Sequence, residues 1–134
     1  ECAAQVTSQD FFPTLADALG LTDAQRHDGV SLLPLLKNPK APLNREALFW
    51  HYPHYYPRMT PASAIRAGDW KLIHYYEDNR MELFNLKNDP AETKNLAATQ
   101  SAKAKALREK LDAWRKDTQA KAPVPNPDWK RRKK

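Results

Sequence analysis

The sequence predicts an α+β fold, in which a four-stranded antiparallel sheet is packed by a long C-terminal helix and preceded by two short helices. Three observations support this prediction. Apolar and polar residues alternate between residues 46 and 86, as they do in half-buried strands. A single apolar stripe runs along residues 101–120, as in a helix that covers one face of a sheet. Near the start of the chain, two apolar segments each carry a proline close to their beginning.

The two short helices are predicted to begin at residues that commonly cap helices. Asp10 precedes the first helix, and Pro13 falls in its first turn, where the missing N–H would have had no partner. Gly20 ends this helix as a left-handed stop, and Ser31 starts a shorter helix that ends near Asn38. Both helices are too apolar for isolated surface elements, so we expect them to pack on another part of a structure. Their predicted packing faces are Phe12, Leu15, Ala16 and Leu19, and Leu32, Leu33 and Leu36.

Four segments have the pattern of strands. The clearest covers residues 69–76, where Trp70, Leu72, His74 and Tyr76 share one face. Because Ala67-Gly68 leaves room only for a tight connection, the second and third strands are predicted to form a hairpin, and three of the four strands to form a meander. The predicted strands are residues 47–52, 63–66, 69–76 and 81–86.

A turn and a long helix are predicted after the strands. Residues 92–96 are expected to form one helical turn. The long helix then runs from about residue 101 to residue 120, with Lys and Arg on its polar face. Its apolar stripe consists of Ala104, Leu107, Leu111 and Trp114.

Positive charge is concentrated at the end of the chain. Residues 1–99 carry 10 Lys/Arg and 12 Asp/Glu, whereas residues 100–134 carry 12 and 4, so the net charge of +6 is the sum of −2 and +8. The chain ends in KRRKK after the proline-rich segment PVPNP. Such a run is able to bind a polyanion. Because no aromatic platform for stacking bases lies among the basic residues, nucleic acid is the less favoured partner and a disordered, solvated tail is preferred.

Several further classes are excluded by composition. No apolar run approaches the roughly 20 residues that a membrane-spanning helix needs, so no membrane partner is expected. The single cysteine, Cys2, excludes an internal disulfide. The chain begins without Met and without the pattern of a signal peptide, and we therefore expect that it was cut from a longer polypeptide.

Five segments of the chain are distinctive in their order and spacing: TSQDFFPTLADALGL, DGVSLLPLL, REALFWHYPHY, SAIRAGDWKLIHYYED and ELFNLKNDPAETKNLA. Together they resemble the C-terminal third of type I sulfatases, the arylsulfatase-like members of the alkaline-phosphatase-like superfamily. The resemblance extends from about Val6 to Trp114. It implies that residues 1–45 are the last helices of a larger α/β catalytic domain, that residues 46–120 are the sulfatase C-terminal subdomain, and that residues 121–134 are a linker and a basic tail.

The resemblance also implies an activity that this chain alone cannot perform. Sulfatases hydrolyse sulfate esters with a formylglycine nucleophile and a calcium ion. Members of the family are usually exported or lysosomal, so the resemblance implies a parent protein that is periplasmic, secreted or lysosomal. The motif Cys/Ser-x-Pro-Ser-Arg, from which formylglycine is made, is absent, since Cys2 is followed by Ala3-Ala4-Gln5. The family's calcium-binding aspartates have no match here either. We therefore expect no catalytic residue and no metal ligand in this chain, and a structural role for the loop His27-Asp28-Gly29.

The segment FWHYPHYYP, residues 49–57, holds the candidate site. At least one of Phe49 and Trp50 is expected to face a core, as strand residues. A metal site at the two histidines is disfavoured, because no third or fourth ligand is evident. The family places this loop near the mouth of the active site, which implies substrate-binding side chains that stack on a sugar or aryl ring and donate hydrogen bonds. The candidates are His51, His54, Tyr52 and Tyr55, with Arg66 and Lys71 as possible sources of positive charge.

Three functional hypotheses follow. The preferred one is a C-terminal fragment of a sulfatase acting on aryl or carbohydrate sulfate esters, which forms one wall of the substrate pocket and packs its apolar helix faces on a missing N-terminal catalytic domain. Without that domain the faces would be exposed, so we expect poor solubility or self-association. The alternative is a stand-alone basic module that binds a polyanion such as nucleic acid or a sulfated glycan. A truncated paralogue retained as a structural partner is the third.

Overall fold

The computed structural model describes residues 2–21, 27–57, 59–124 and 126. The chain divides into two compact units, Glu1–Glu46 and Ala47–Lys134, and each is described by itself. The predicted basic tail at residues 130–134 lies outside the described residues. Within the described part of the chain, no helix combines the length and the hydropathy that a bilayer-spanning helix requires.

The first unit contains both predicted short helices. A 3₁₀ turn, Ser8–Asp10, leads directly into α1, Phe11–Ala18, and α2 follows at Leu33–Lys37. Gly20 has a φ of 66°, as predicted for a left-handed helix stop. The cap of α2 is Leu32 and not Ser31, although the Ser31 hydroxyl accepts a hydrogen bond from the Leu33 amide at 3.2 Å.

Much of the apolar surface of this unit faces outward, as expected for helices that lack their packing partner. Phe12, Leu15 and Leu19 are exposed to 56%, 62% and 71%. Leu36 is exposed as well, whereas Leu32 and Leu33 are half-buried and Leu35 is buried. The predicted packing face of α1 is therefore open except at Ala16, which is buried, while the face of α2 is divided between the interior and the surface. An outward apolar face of this kind is typical of an interaction surface.

Asp10 does not cap α1 with its side chain, which corrects the prediction. Its carboxylate is fully buried and forms a bidentate ion pair with Arg45, in which Nη1 lies 2.9 Å from Oδ2 and Nη2 donates to Oδ1. The amides of Thr7 and Val30 donate to the same carboxylate at 2.8 and 3.0 Å. Burial alone would raise the pKa of Asp10, but the hydrogen bonds from Arg45, Thr7 and Val30 outweigh it and lower this pKa to about 2. Local spacing predicted a cap because it contains no information about Arg45, which lies 35 residues away.

The loop His27-Asp28-Gly29 packs closely against other residues of the first unit. A Cβ atom added at Gly29 would lie 2.0 Å from the carbonyl oxygen of Gln9, so only glycine fits there. The ring of His27 lies against that of Phe12, with ring centroids 4.8 Å apart. These contacts support a structural role for the loop.

The second unit is built on the predicted four-stranded antiparallel sheet. The strands are β1, Leu48–Tyr52; β2, Ala62–Ala67; β3, Trp70–Tyr75; and β4, Met81–Asn85. They lie side by side in the order β1-β2-β3-β4, so the meander includes all four strands. Gly68, with a φ of 56°, makes the tight turn between β2 and β3 possible.

The long helix α3, Ser101–Asp117, contacts β2 and β3 and covers one face of this sheet. Its predicted apolar stripe is confirmed, because Ala104, Leu107 and Leu111 are buried and Trp114 packs against the core. Trp114 stacks on Phe49 of β1, with ring centroids 4.9 Å apart. Phe49 therefore faces the core, as one of the two aromatic residues was expected to do. The buried sheet residues of this core are Ile65, Leu72 and Leu83.

The predicted helical turn at residues 92–96 is wrong. Glu92 has a φ of 56°, which a right-handed helix cannot accommodate. The segment instead pairs with the edge of β4, because the Leu96 amide donates to the Leu83 carbonyl at 2.8 Å and the Leu83 amide donates to Asn95 Oδ1 at 3.0 Å. These two bonds cover backbone groups that a free edge strand would expose.

Candidate functional site

Strand β1 divides the candidate residues between the two faces of the sheet. Successive side chains of a strand point to opposite faces, so His51 lies on the same face as Phe49, the face covered by α3. Trp50 and Tyr52 lie on the opposite, open face. His51 and Tyr52 belong to the predicted first strand, residues 47–52, as well as to the candidate segment that continues into the loop, and β1 does extend through both of them.

His51 is held in a hydrogen-bond network on the covered face. Its Nδ1 lies 2.8 Å from the Ser63 hydroxyl and 3.0 Å from the Tyr76 hydroxyl, and these two hydroxyls are 2.7 Å apart. On the other side of the ring, Nε2 donates to the Lys121 carbonyl at 3.0 Å. Because a carbonyl only accepts, Nε2 carries a proton and Nδ1 is left to accept from one of the hydroxyls. His51 thus links the end of β1 to the segment that follows α3.

The network continues to His74 through Arg115. The Arg115 guanidinium donates to the Tyr76 hydroxyl at 2.9 Å and to His74 Nδ1 at 3.2 Å. His74 Nε2 in turn donates to Asn79 Oδ1 at 2.8 Å. Burial lowers the pKa of His74, and the positive charges of Arg108 and Arg115 lower it further, against the raising effects of the Asn79 bond and of Asp112. His74 is therefore neutral at pH 7, and its Nδ1 accepts a hydrogen bond from the positively charged Arg115.

The stability of the second unit should consequently depend on the protonation of His74. The pKa of His74 is lower in the folded state than its usual value of 6.5, so neutral His74 makes its full contribution to stability only above pH 6.5. This contribution is lost as the pH falls from 6.5 through the folded-state pKa. We expect a lower urea midpoint for the wild-type chain at pH 5.5 than at pH 7.5, and a smaller difference for His74→Gln. The exposed-residue control His54→Gln should retain the wild-type difference; equal pH dependence in all three proteins would contradict the prediction.

The tip of the loop after β1 carries the other candidates. His54 is exposed, and its ring meets that of Tyr52 edge to face, with centroids 5.7 Å apart. The exposed Tyr55 donates a hydrogen bond from its hydroxyl to Glu77 Oε1 at 2.6 Å, and this hydrogen bond raises the pKa of Tyr55.

A cavity of about 590 Å³ lies between this loop and the segment after α3. It is lined by Tyr55, Pro61, Tyr76, Glu77, Pro123, Val124 and Asn126.

A larger groove of about 1120 Å³ runs along β2 on the open face of the sheet, and we call it the β2 trough. Small side chains of β2 lie between larger ones of its neighbours, because Ala64 pairs with Trp50 and Ile73, and Ala62 pairs with Tyr52 and Tyr75. One end of the trough is lined by Arg66, Lys71 and Glu92. The other end is lined by Tyr55, Tyr56, Pro57 and Met59.

The two cations predicted as sources of positive charge differ in their surroundings. Lys71 donates to both carboxylate oxygens of Glu92, at 2.7 and 2.8 Å. Arg66 lies directly opposite Lys71 in the pairing of β2 with β3, and its buried Nε has no hydrogen-bond acceptor among the described residues. Lys71 is therefore neutralised by Glu92, whereas Nε of Arg66 has no acceptor in the described part of the chain.

The four candidate residues do not form one cluster. Tyr52 and His54 touch, Tyr55 points towards Glu77, and His51 lies in the internal network. In the part of the chain that the structure describes, no three His, Cys, Asp or Glu residues come together to hold a metal ion. Sequence reasoning missed the roles of Ser63 and Arg115. Antiparallel pairing of β1 with β2 places Ser63 directly opposite His51, but nothing in the sequence marks Arg115 among the other basic residues of α3.

A family model confirms the resemblance drawn from the five segments. The model for the C-terminal region of N-sulphoglucosamine sulphohydrolase matches residues 1–118. The matched region includes both helices of the first unit, the whole sheet and α3. It stops before the proline-rich segment.

Curated relatives and solved structures agree with the family model. The chain is 36% identical over 126 residues to a sulfatase of Formosa agariphila, covering 82% of this chain and 23% of that protein. It is 36% identical over 115 residues to an N-acetylglucosamine-6-O-sulfatase of Bacteroides thetaiotaomicron, covering 80% of this chain and 20% of that protein. A solved structure in complex with its substrate D-glucosamine-2-N,6-O-disulfate superimposes with a TM-score of 0.70 at 34% identity, covering 85% of this chain and 24% of that one.

The chain thus spans between a fifth and a quarter of the length of these three proteins. The family match, the sequence identities and the shared fold lead to one conclusion. This chain belongs to the sulfatase family and corresponds to its C-terminal region.

Proposed function

We propose that this chain is the C-terminal part of a sulfuric ester hydrolase that acts on a sulfated carbohydrate, an amino-sugar sulfate in the first instance. The single observation that carries the proposal is the match over residues 1–118 to the C-terminal region of N-sulphoglucosamine sulphohydrolase. The relatives' names add the substrate class, since one of them is an N-acetylglucosamine-6-O-sulfatase. Export of the parent protein remains a prediction from the family resemblance.

The catalytic groups of the family are assigned, in this proposal, to the part of the polypeptide outside this chain. Calcium prefers several oxygen ligands in one place. Among the described residues, the buried carboxylate of Asp10 is already paired with Arg45, and no group of three or more His, Cys, Asp or Glu residues could hold a metal ion. Cys2 lacks the sequence context from which formylglycine is made. The described residues therefore do not fit a calcium ion, and Cys2 does not fit formylglycine, so the contribution proposed for this chain is to binding and to architecture.

The candidate contribution to binding comes from the loop after β1. Ring faces of Tyr52 and Tyr55 suit stacking on a pyranose ring, and the exposed imidazole of His54 suits hydrogen bonding to a hydroxyl or a sulfate oxygen. His51, tied to Ser63, Tyr76 and Lys121, would act by positioning this loop. The exposed apolar helix residues of the first unit support the proposed assignment of residues 1–45 to the catalytic domain, whose other parts would cover them.

A chimaera tests the proposal directly. Residues 1–118 would replace the matching C-terminal region of the Bacteroides thetaiotaomicron N-acetylglucosamine-6-O-sulfatase, and hydrolysis of N-acetylglucosamine 6-sulfate would be measured. We expect turnover within about tenfold of the intact relative, whereas the relative truncated before the match should be inactive because its pocket lacks a wall. A folded chimaera without turnover would contradict the proposal.

The loop residues can be tested in the same chimaera. His54→Ala and Tyr55→Ala should each lower kcat/KM by about tenfold, chiefly through KM, because they remove contacts made equally in the ground state and the transition state. His27→Ala, a histidine change in the first unit, is the matched control and should leave kcat/KM unchanged. An unchanged KM in both loop variants would remove the loop from the substrate pocket.

The alternative of a stand-alone polyanion-binding module receives no support from the comparisons. Its main feature, the terminal basic run, lies outside the described residues.

A further inference from the structure

We propose that the cavity of about 590 Å³ beside Glu77 is a subsite for an uncharged sugar ring, the neighbour of the sulfated ring in an oligosaccharide substrate. We call it the Glu77 cavity; it lies between the loop after β1 and the segment after α3. This inference rests on the proposed function, because a sulfated saccharide substrate is its premise. It deepens that function by naming the length of the substrate and the residue that selects the second ring.

The wall of the cavity that follows α3 is fixed to the rest of the second unit. Gln119 ends the helix in the left-handed conformation, with a φ of 52°, and the Ala120 amide donates to the Arg115 carbonyl at 2.9 Å, as in a left-handed helix stop. The next carbonyl, that of Lys121, accepts a hydrogen bond from Nε2 of His51 at 3.0 Å. The segment that lines the cavity is therefore anchored to the sheet immediately before it reaches the cavity.

Two aromatic rings give the cavity its stacking surfaces. The Tyr76 hydroxyl already accepts a hydrogen bond from Arg115 at 2.9 Å, so Tyr76 offers its ring to a ligand and not its hydroxyl. The opposite ring, that of Tyr55, is 68% exposed. The apolar faces of a sugar ring pack well on such rings. The cavity volume lies within the roughly 300–1,000 Å³ that small-molecule sites occupy, which leaves room for a pyranose ring.

The carboxylate of Glu77 determines which kind of ring is accepted. Oε1 accepts the hydrogen bond of Tyr55, and Oε2 can accept another from a sugar hydroxyl. The nearest cation on the Tyr76 side is Arg115, 5.3 Å from the ring centroid, and its charge is balanced by Asp112. A sulfate group in the cavity would therefore meet a like charge, and the resulting repulsion favours an unsulfated ring.

The position of the cavity suits a ring next to the sulfated one. Tyr55 belongs both to the candidate substrate loop and to the lining of the cavity, so a saccharide whose sulfated ring contacts this loop has the cavity beside it. A sugar also suits the cavity better than an apolar segment of polypeptide. Covering the Glu77 carboxylate with apolar groups is costly, whereas sugar hydroxyls donate hydrogen bonds to it.

Substrate length tests the inference. The chimaera described above is extended to residues 1–134, so that the whole cavity is present, and kcat/KM is measured for N-acetylglucosamine 6-sulfate and for the same sugar linked to galactose. We expect kcat/KM to be about tenfold higher for the disaccharide, mainly through KM, because the second ring adds contacts made equally in the ground state and the transition state. The chimaera with residues 1–118 lacks the wall after α3 and should show no such preference. Equal values for both substrates in an active 1–134 chimaera overturn the inference, as does an equal preference in both chimaeras.

A second disaccharide, in which the galactose carries a sulfate, tests the role of Glu77. In the 1–134 chimaera its kcat/KM should be at least about tenfold lower than that of the unsulfated disaccharide. Glu77→Gln should reduce this ratio to about threefold or less, because glutamine keeps the size and the acceptor oxygen and removes the charge. Glu109→Gln, the same change at an exposed position of α3, should retain the original ratio. An unchanged ratio in Glu77→Gln overturns the selective role of Glu77.

Direct binding separates the cavity from catalysis. Unsulfated N-acetylglucosamine linked to galactose would be added to the isolated chain, and the ring signals of Tyr55 and Tyr76 would be followed by NMR. We expect both signals to shift with a Kd on the order of millimolar, as for a small ligand held by few contacts. If neither signal shifts at concentrations well above this value, the inference is overturned.

The proposed function and the subsite can fail separately. Binding of the disaccharide to the isolated chain without turnover by a folded chimaera refutes the proposed function and leaves the sugar site. Turnover of N-acetylglucosamine 6-sulfate with neither binding nor a preference for the disaccharide refutes the subsite alone. Binding to the isolated chain without a preference in an active chimaera would show that another part of the parent polypeptide fills the cavity, which also overturns the inference.

Discussion

Replacing Asp10 with alanine should lower the free energy of unfolding of the first unit by about 3–5 kcal/mol, because it leaves the charge of Arg45 buried and unpaired. The side chain of Arg45 is only 8% exposed, so water cannot replace the lost carboxylate. The amides of Thr7 and Val30 would lose their acceptor in the same variant. Thermal melts followed by circular dichroism, with hydrogen exchange over residues 7–17 to locate the effect, would measure the loss.

Asp17→Ala is the matched control for this change. Asp17 also lies in α1 and accepts a hydrogen bond from Ser31 at 2.6 Å, but this contact is exposed to solvent. It should therefore cost no more than about 1 kcal/mol. Equal losses for the two variants would contradict a dominant role of the Asp10–Arg45 pair.

The same ion pair should govern stability in acid. The pKa of Asp10 is lowered from 3.8 to about 2, so its stabilisation is complete above pH 3.8 and is lost as the pH falls from 3.8 to about 2. The shift of nearly two units corresponds to about 2 kcal/mol. Between pH 3.8 and about 2, the free energy of unfolding of the wild-type protein should therefore fall by about 2 kcal/mol more than that of Asp10→Ala. Parallel acid-unfolding curves for the two proteins would contradict the lowered pKa of Asp10.

The second large effect is expected at the contact between α3 and the sheet. Leu111 is fully buried in the core of the second unit, together with Leu72 and Leu83. Leu111→Ala keeps the helix propensity but leaves a cavity, which should cost about 2–5 kcal/mol. The measurement is urea unfolding followed by near-ultraviolet circular dichroism, which reports on the stacked rings of Phe49 and Trp114.

Leu36→Ala provides the control, because Leu36 is 72% exposed in the first unit. The same chemical change should cost less than about 0.5 kcal/mol there. A loss below about 1 kcal/mol for Leu111→Ala would show that α3 contributes little to the core.

The fold of this protein followed from local patterns to a large extent. The alternation of Trp70, Leu72 and His74 predicted β3, and the spacing of Ala104, Leu107 and Leu111 predicted the buried face of α3. These patterns are informative because a side chain's face depends only on the local backbone period. Residues 92–96 were misjudged for the converse reason, since their conformation depends on pairing with β4 and on the positive φ of Glu92.

The candidate site followed from the sequence only in part. The loop after β1 was located, and Tyr52 and His54 do lie together. The surroundings of His51 were not foreseen, because its partners Ser63 and Lys121 are 12 and 70 residues away. The difference between Lys71 and Arg66 was equally hidden, since the pairing partner of Lys71 is Glu92, 21 residues further along the chain.

The sequence by itself determined the order of the two short helices, the four strands and the long helix, the buried stripe of α3 and the membership of the sulfatase family. Only the tertiary structure decided that the side chain of Asp10, the N-cap residue of α1, forms an ion pair with Arg45 and no capping hydrogen bond to α1. It also decided that His51 is enclosed in a network, and that Arg66 alone among the trough's charged side chains with described contacts lacks an acceptor. The physical reason is that element type depends on neighbouring residues along the chain, whereas the protonation and pairing of a side chain depend on groups that strand register and helix packing bring to it from distant positions.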